Sequence, residues 1–187
     1  MDMHKTPRRV TPVALSGLRS FFADLVRPAF ASLGMGERLL MDYVVDLLAR
    51  FTRADQLYRI RDQQGRALDT IAEMMLELSR QWDREVPYRF ERDVDIRRHC
   101  GDYALFMSGL FRGYVESRSL LDYYLSQGRS AYDQVAELEQ LAAAGQGALF
   151  RRMAVQFEHI SGALDYMRKV HLPPHLGSGP YRNILPS

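Results

Sequence analysis

An all-α fold, a single domain built as a bundle of about six amphipathic helices, is what this 187-residue chain predicts. Three observations carry that prediction. Apolar residues recur at spacings of three and four along most of the chain, the period of a helix with one buried face. The only briefly alternating stretch, from Tyr58 to Arg66, ends in a turn-forming glycine and reads as a connector rather than a sheet strand. Connections between the periodic segments are mostly short, so the apolar stripes can be satisfied only against one another.

Residues 1–15 are polar and carry Pro7 and Pro12, which predicts a flexible N-terminal arm. The bundle is expected over 16–170. Its first helix starts at Ser16 as N-cap, places Leu18, Phe21, Phe22 and Leu25 on one face, and is kinked or split at Pro28 before Gly34 ends it. The second, from about Glu37 to Thr52, repeats Leu40, Val44, Leu47 and Phe51. The third carries Leu68, Ile71, Met75, Leu78 and Trp82, stops before Pro87, and uses Trp82 to seal the core. The fourth opens in the charged run RFERDVDIRR and continues through Phe111, with Gly113 as its end. Ser119 and Asp122 form a capping box for the fifth, which Gly145 and Gly147 break. The sixth runs through Phe150, Met153, Phe157, Ile160, Leu164 and Met167 until Pro173 and Pro174 stop it. Residues 171–187 read as an extended tail whose apolar residues could dock along a groove.

Composition narrows the function classes. With 25 basic and 23 acidic residues, the net charge of +2 is spread along the chain, which is not the concentrated field of a dedicated nucleic-acid binder. No apolar stretch is long enough to cross a bilayer, and the N-terminal apolar run is too interrupted for a secretory signal. One cysteine makes no internal disulfide and suits a reducing compartment, so a cytoplasmic location is expected. Phosphate-loop, nucleophile-elbow and dinucleotide fingerprints are absent, and no Glu precedes a His by three positions as a di-iron bundle needs. His171 and His175 alone make an incomplete ligand set. No catalytic residue and no metal are assigned.

The segment Arg97–Met107, RRHCGDYALFM, places polar residues where core residues are expected. His99 shares a stripe with Ile96, Tyr103, Phe106 and Leu110, so it is either a hydrogen-bonded core histidine or a ligand for haem iron or a metal. Cys100 diverges from His99 by about 100° around the helix and cannot pair with it catalytically. Gly101 and Gly128 each cost about 1 kcal/mol relative to alanine in a helix, which points to a close crossing of the fourth and fifth helices. A crossing there would gather Tyr103, Tyr123, Tyr124 and Tyr132 near His99 and Asp102 as the rim of a ligand pocket. Packing is the plainer account of the same residues. A second cluster, Arg50, Arg53, Arg59, Arg61 and Arg66, could meet a phosphate backbone or an acidic partner, although a solvated arginine face explains it as well.

The segments GDYALFMSGLF (101–111) and DYYLSQGRSAY (122–132) resemble a pattern of uncharacterised bacterial helical proteins. The resemblance covers about a fifth of the chain, implies a bacterial source and a helical bundle, and brings no activity with it. The expected function is therefore a non-enzymatic helical interaction protein that self-associates. The alternatives are a small-molecule or haem-binding bundle centred on His99 and the tyrosines, and a protein that binds nucleic acid or an acidic partner through the Arg50–Arg66 region.

Overall fold

A computed structural model describes residues 12–82, 89–142 and 145–172, with side chains over 16–80, 89–142 and 145–172. The expected N-terminal arm before Pro12, the expected role of the Trp82 side chain and the tail beyond Leu172 fall outside these residues. The described chain is all-α, with nine helices where six were expected: α1 Pro12–Ser32, α2 Arg38–Phe51, α3 Ala54–Leu57, α4 Ile71–Trp82, α5 Phe90–Leu110, α6 Arg112–Ser117, α7 Leu121–Leu141, α8 Gly147–Val155 and α9 Phe157–His171. No described helix is long and apolar enough to cross a membrane.

The extra helices come from connections and breaks that periodicity cannot see. Glycine at 113 does not stop the fourth segment. The chain ends α5 at Leu110, steps through Phe111 and restarts as α6, with Gly113 inside it. The sixth segment bends at Gln156, which caps α8 and α9 alike, while its three-four repeat continues unbroken across the bend. In α1, by contrast, Pro28 lies inside one continuous helix that begins at Pro12. Proline suits a first helical position because its missing N–H has no partner there anyway. The buried face of α1 is Phe22, Val26, Ala29 and Phe30, and Phe21 is left 45% exposed.

Two caps also differ from expectation. Ser119 does not cap α7; it takes the left-handed conformation (φ 56°), and the N–H of Leu120 donates to the Val115 carbonyl, which closes α6 in a Schellman turn. A capping box forms instead at α4, where the Glu73 N–H donates to Thr70 Oγ1 at 3.2 Å and the Thr70 N–H donates to Glu73 Oε2 at 3.3 Å. That cap starts the helix at Ile71 rather than Leu68. The preceding connector is a tight loop with a single antiparallel bridge between Arg61 and Ala67, closed by Asp62, whose Oδ1 accepts from the N–H groups of Gln64 and Arg66.

Helix α5 is the axis of the molecule. It packs against α7, α9 and α4, while α1 and α2 pair and α8 folds back on α7. Every residue from His99 to Leu110 is buried, so α5 loses the one-sided character of a surface helix in its C-terminal half. The close approach is made at glycines. A Cβ on Gly101 would lie 2.6 Å from the Tyr132 ring, and one on Gly128 would lie 2.8 Å from Ala104 Cβ and closer still to the Phe157 ring. The crossing inferred from Gly101 and Gly128 is therefore the α5–α7 contact, with α9 wedged against it. A smaller apolar cluster of Ile60, Leu68, Met74, Leu78, Ile96, Cys100 and Ala131 seats the connector and α4.

Candidate functional site

Burying α5 on all sides forces its polar residues to find partners inside the protein, because an unpaired buried polar group costs about 1–3 kcal/mol. Asp102 is fully buried and shows how three helices respond. From α2, Tyr43 Oη donates to Asp102 Oδ1 at 2.5 Å; from α7, Tyr132 Oη donates to the same oxygen at 2.7 Å. Arg50, two turns along α2 from Tyr43, donates through Nη2 to Asp102 Oδ2 at 3.0 Å. Both carboxylate oxygens are thus occupied, and the negative charge is matched by a guanidinium.

Arg98 completes the network from the solvent side. Its Nε donates to Tyr43 Oη at 3.2 Å, and its guanidinium carbon stands 5.3 Å from the Tyr43 ring centroid and 5.4 Å from that of Phe150. Burial raises the pKa of Tyr43 and Tyr132 far above the ordinary tyrosine value, and the Asp102 charge adds to it, so both hydroxyls stay protonated as donors. Above this network lies an open cleft of about 350 Å³ lined by Arg19, Tyr43, Asp46, Ala49, Arg50 and Arg98. Arg19 Nε donates to Asp46 Oδ1 at 2.5 Å across it.

Of the residues expected at the site, the structure brings Asp102 and Tyr132 together. His99 sits one turn earlier on α5, fully buried, with Nε2 2.9 Å from the Leu57 carbonyl and its ring 5.4 Å from that of Phe51. That bond makes Nε2 the protonated nitrogen and leaves Nδ1 without a hydrogen-bond partner among the described residues. Desolvation, aided by the nearby Arg59 charge, pushes the His99 pKa down to about 4, so the ring is neutral at ordinary pH. Tyr103, Tyr123 and Tyr124 form a separate group. Tyr103 and Tyr124 are hydrogen-bonded with rings 6.3 Å apart, Tyr123 meets Tyr124 edge-on, and none of the three donates to Asp102. Gly128 serves the helix crossing. Cys100 is buried against the Met74 sulfur, and burial pushes its thiol pKa up to about 12, which leaves it un-ionised.

The arginine cluster is largely consumed inside the chain. Arg50 holds Asp102, Arg53 pairs with Asp55, Arg59 forks onto both oxygens of Asp95, Arg61 donates to the Gly65 carbonyl, and Arg66 bridges Asp62 and Glu73. No group of three or more His, Cys, Asp or Glu among the described residues is placed to hold a metal ion. Sequence reasoning missed Tyr43 and Arg50 as partners of Asp102. The signal it did contain is that Tyr43 lies one residue before Val44 and Arg50 one before Phe51, so both flank the buried stripe of α2 on the same side.

No family model, curated protein or solved structure matches the chain. Its class rests on fold and site alone: an all-α protein with a buried tyrosine–aspartate–arginine network beneath an arginine-lined cleft.

Proposed function

We propose that the protein is a non-enzymatic helical binding protein that captures a small anion in the cleft above Asp102. One observation carries this reading. Arg98 faces the cleft stacked on Tyr43 and Phe150, held by a single bond through Nε, and it forms no ion pair with a described carboxylate. A guanidinium kept in place by aromatic faces, with its terminal nitrogens uncommitted, is suited to receive an acceptor from solvent. Arg50 stands beside it, already oriented by Asp102, so little ordering is needed when a ligand arrives. The volume of about 350 Å³ is in the range of small-molecule sites. Thermal unfolding in acetate, benzoate, sulfate and inorganic phosphate at constant ionic strength tests the reading. At least one anion is expected to raise Tm, and Arg98→Gln is expected to abolish the rise. Equal melting in all four anions would end it.

Self-association is a second reading, favoured by a different face. Leu33 and Tyr166 are 47% and 38% exposed, and with Met35, Gly162 and Ala163 they form the apolar side of a groove of about 840 Å³ whose other side is Arg112, Gln156, Glu158 and His159; Val170, one turn beyond Tyr166 on α9, is also exposed. Apolar residues gathered around one groove are the kind of surface that a second copy covers. Light scattering over a concentration series should show a dimer that Leu33→Glu dissociates. A strict monomer at the highest concentration would exclude it.

A further inference from the structure

Taking the cleft as an anion site, we infer that its ligand is an organic monocarboxylate rather than a dianion such as phosphate. The inference rests on the preceding reading and adds the charge and hydrogen-bonding character of the ligand. Three guanidiniums, Arg19, Arg50 and Arg98, surround the cleft, and two carboxylates, Asp46 and Asp102, answer them. One positive charge remains. Asp95, which lies one turn before Arg98 on α5, does not alter the count, because Arg59 holds both of its oxygens at 2.8 and 2.6 Å.

A single negative charge therefore neutralises the cleft, whereas a dianion leaves one in excess directly above the fully buried Asp102 carboxylate. Like charges placed a few ångströms apart, one of them desolvated, oppose binding strongly. The donor inventory points the same way. Tyr43 spends its only proton on Asp102 and accepts from Arg98, so it offers the ligand no hydrogen. Asp46 is an acceptor already engaged by Arg19. What remains is N–H groups of guanidiniums, and their flat paired donors match a carboxylate in two parallel bonds. The Ala49 methyl and the Tyr43 ring give the rest of the ligand an apolar wall, which favours an organic acid over a bare ion.

Isothermal calorimetry of the full chain at pH 8 decides the point, with benzoate as the monocarboxylate and inorganic phosphate, mostly dianionic there, as the competitor. Benzoate is expected to bind at least about tenfold more tightly than phosphate, the scale that one excess charge in a partly buried site produces. Arg98→Gln is expected to weaken benzoate by about tenfold or more. Should that variant fail to fold, Arg98→Lys keeps the charge but not the fork, and a smaller loss of benzoate affinity is expected. Phosphate binding as tightly as benzoate, in an Arg98-dependent way, overturns the monocarboxylate assignment while leaving the anion site standing. Heat from neither anion overturns both.

Discussion

Asp102 is the buried residue that ties Tyr43, Arg50 and Tyr132 together, and its energetics follow from what it touches. Replacing it with asparagine leaves Arg50 without its counter-charge and, with the amide oxygen kept to accept both tyrosine hydroxyls, turns an N–H₂ donor against the Arg50 guanidinium. Breaking a buried pair from one side costs on the order of 3 kcal/mol, more than the loss of one hydroxyl donor in Tyr132→Phe, about 1–2 kcal/mol. Urea unfolding should rank the two in that order; a milder Asp102→Asn would mean that the carboxylate contributes little. His99 makes a separate prediction. Its pKa is pushed down to about 4 in the fold from an ordinary value of 6.5. Below 6.5 the unfolded chain takes up a proton that the native ring refuses, so stability falls as the pH drops from 6.5 to 4 and levels off below. The loss is on the order of 3 kcal/mol across that window. His99→Gln should flatten this part of the pH profile; an unchanged slope would place the effect on other groups. The sequence identified both residues as misplaced polar groups on a core helix, since that follows from a three-four stripe. It could not name their partners, because Tyr43, Arg50 and Leu57 are 42 to 59 positions away along the chain.

At the scale of helices, glycines set how closely α5 and α7 approach. Gly101→Ala drives a methyl into the Tyr132 ring and so into the Asp102 network, and Gly128→Ala drives one into Ala104 and Phe157. Each should destabilise by about 1–3 kcal/mol. Gly162, inside α9 with open space where a Cβ would go, is the control, and Gly162→Ala should stabilise by up to about 1 kcal/mol. Similar losses at all three positions in thermal or urea unfolding would show that helix propensity, not close packing, governs them. The crossing was legible because two mid-helix glycines carry a cost that only packing repays. The breaks at Phe111 and Gln156 were not, because a one-residue irregularity leaves the apolar repeat intact. The α4 cap was written in the sequence as Thr70 and Glu73, but the stripe residue Leu68 drew the helix start three residues too early.

At the scale of the whole molecule, much of the arginine is spent on pairing with carboxylates of the same chain, and at the cleft Arg19 and Arg50 are paired in this way while Arg98 is not. The residue pattern could show that arginines cluster around Arg50–Arg66; only the fold shows that Asp95, Asp102 and Glu73 come back to meet them. Arg98, four residues before Asp102 on α5 and so at the spacing of a helix-surface ion pair, reaches Tyr43 instead, because Asp102 points inward to α2 and α7.

Arginine Nε–Hε resonances in ¹⁵N-labelled protein, followed during a benzoate titration, test the anion site most directly. The peaks of Arg98 and Arg50 should move together and saturate with one binding curve, while that of Arg59, locked in its fork with Asp95, stays in place. Uniform small drifts of all arginine peaks, or no movement at Arg98, would contradict the account.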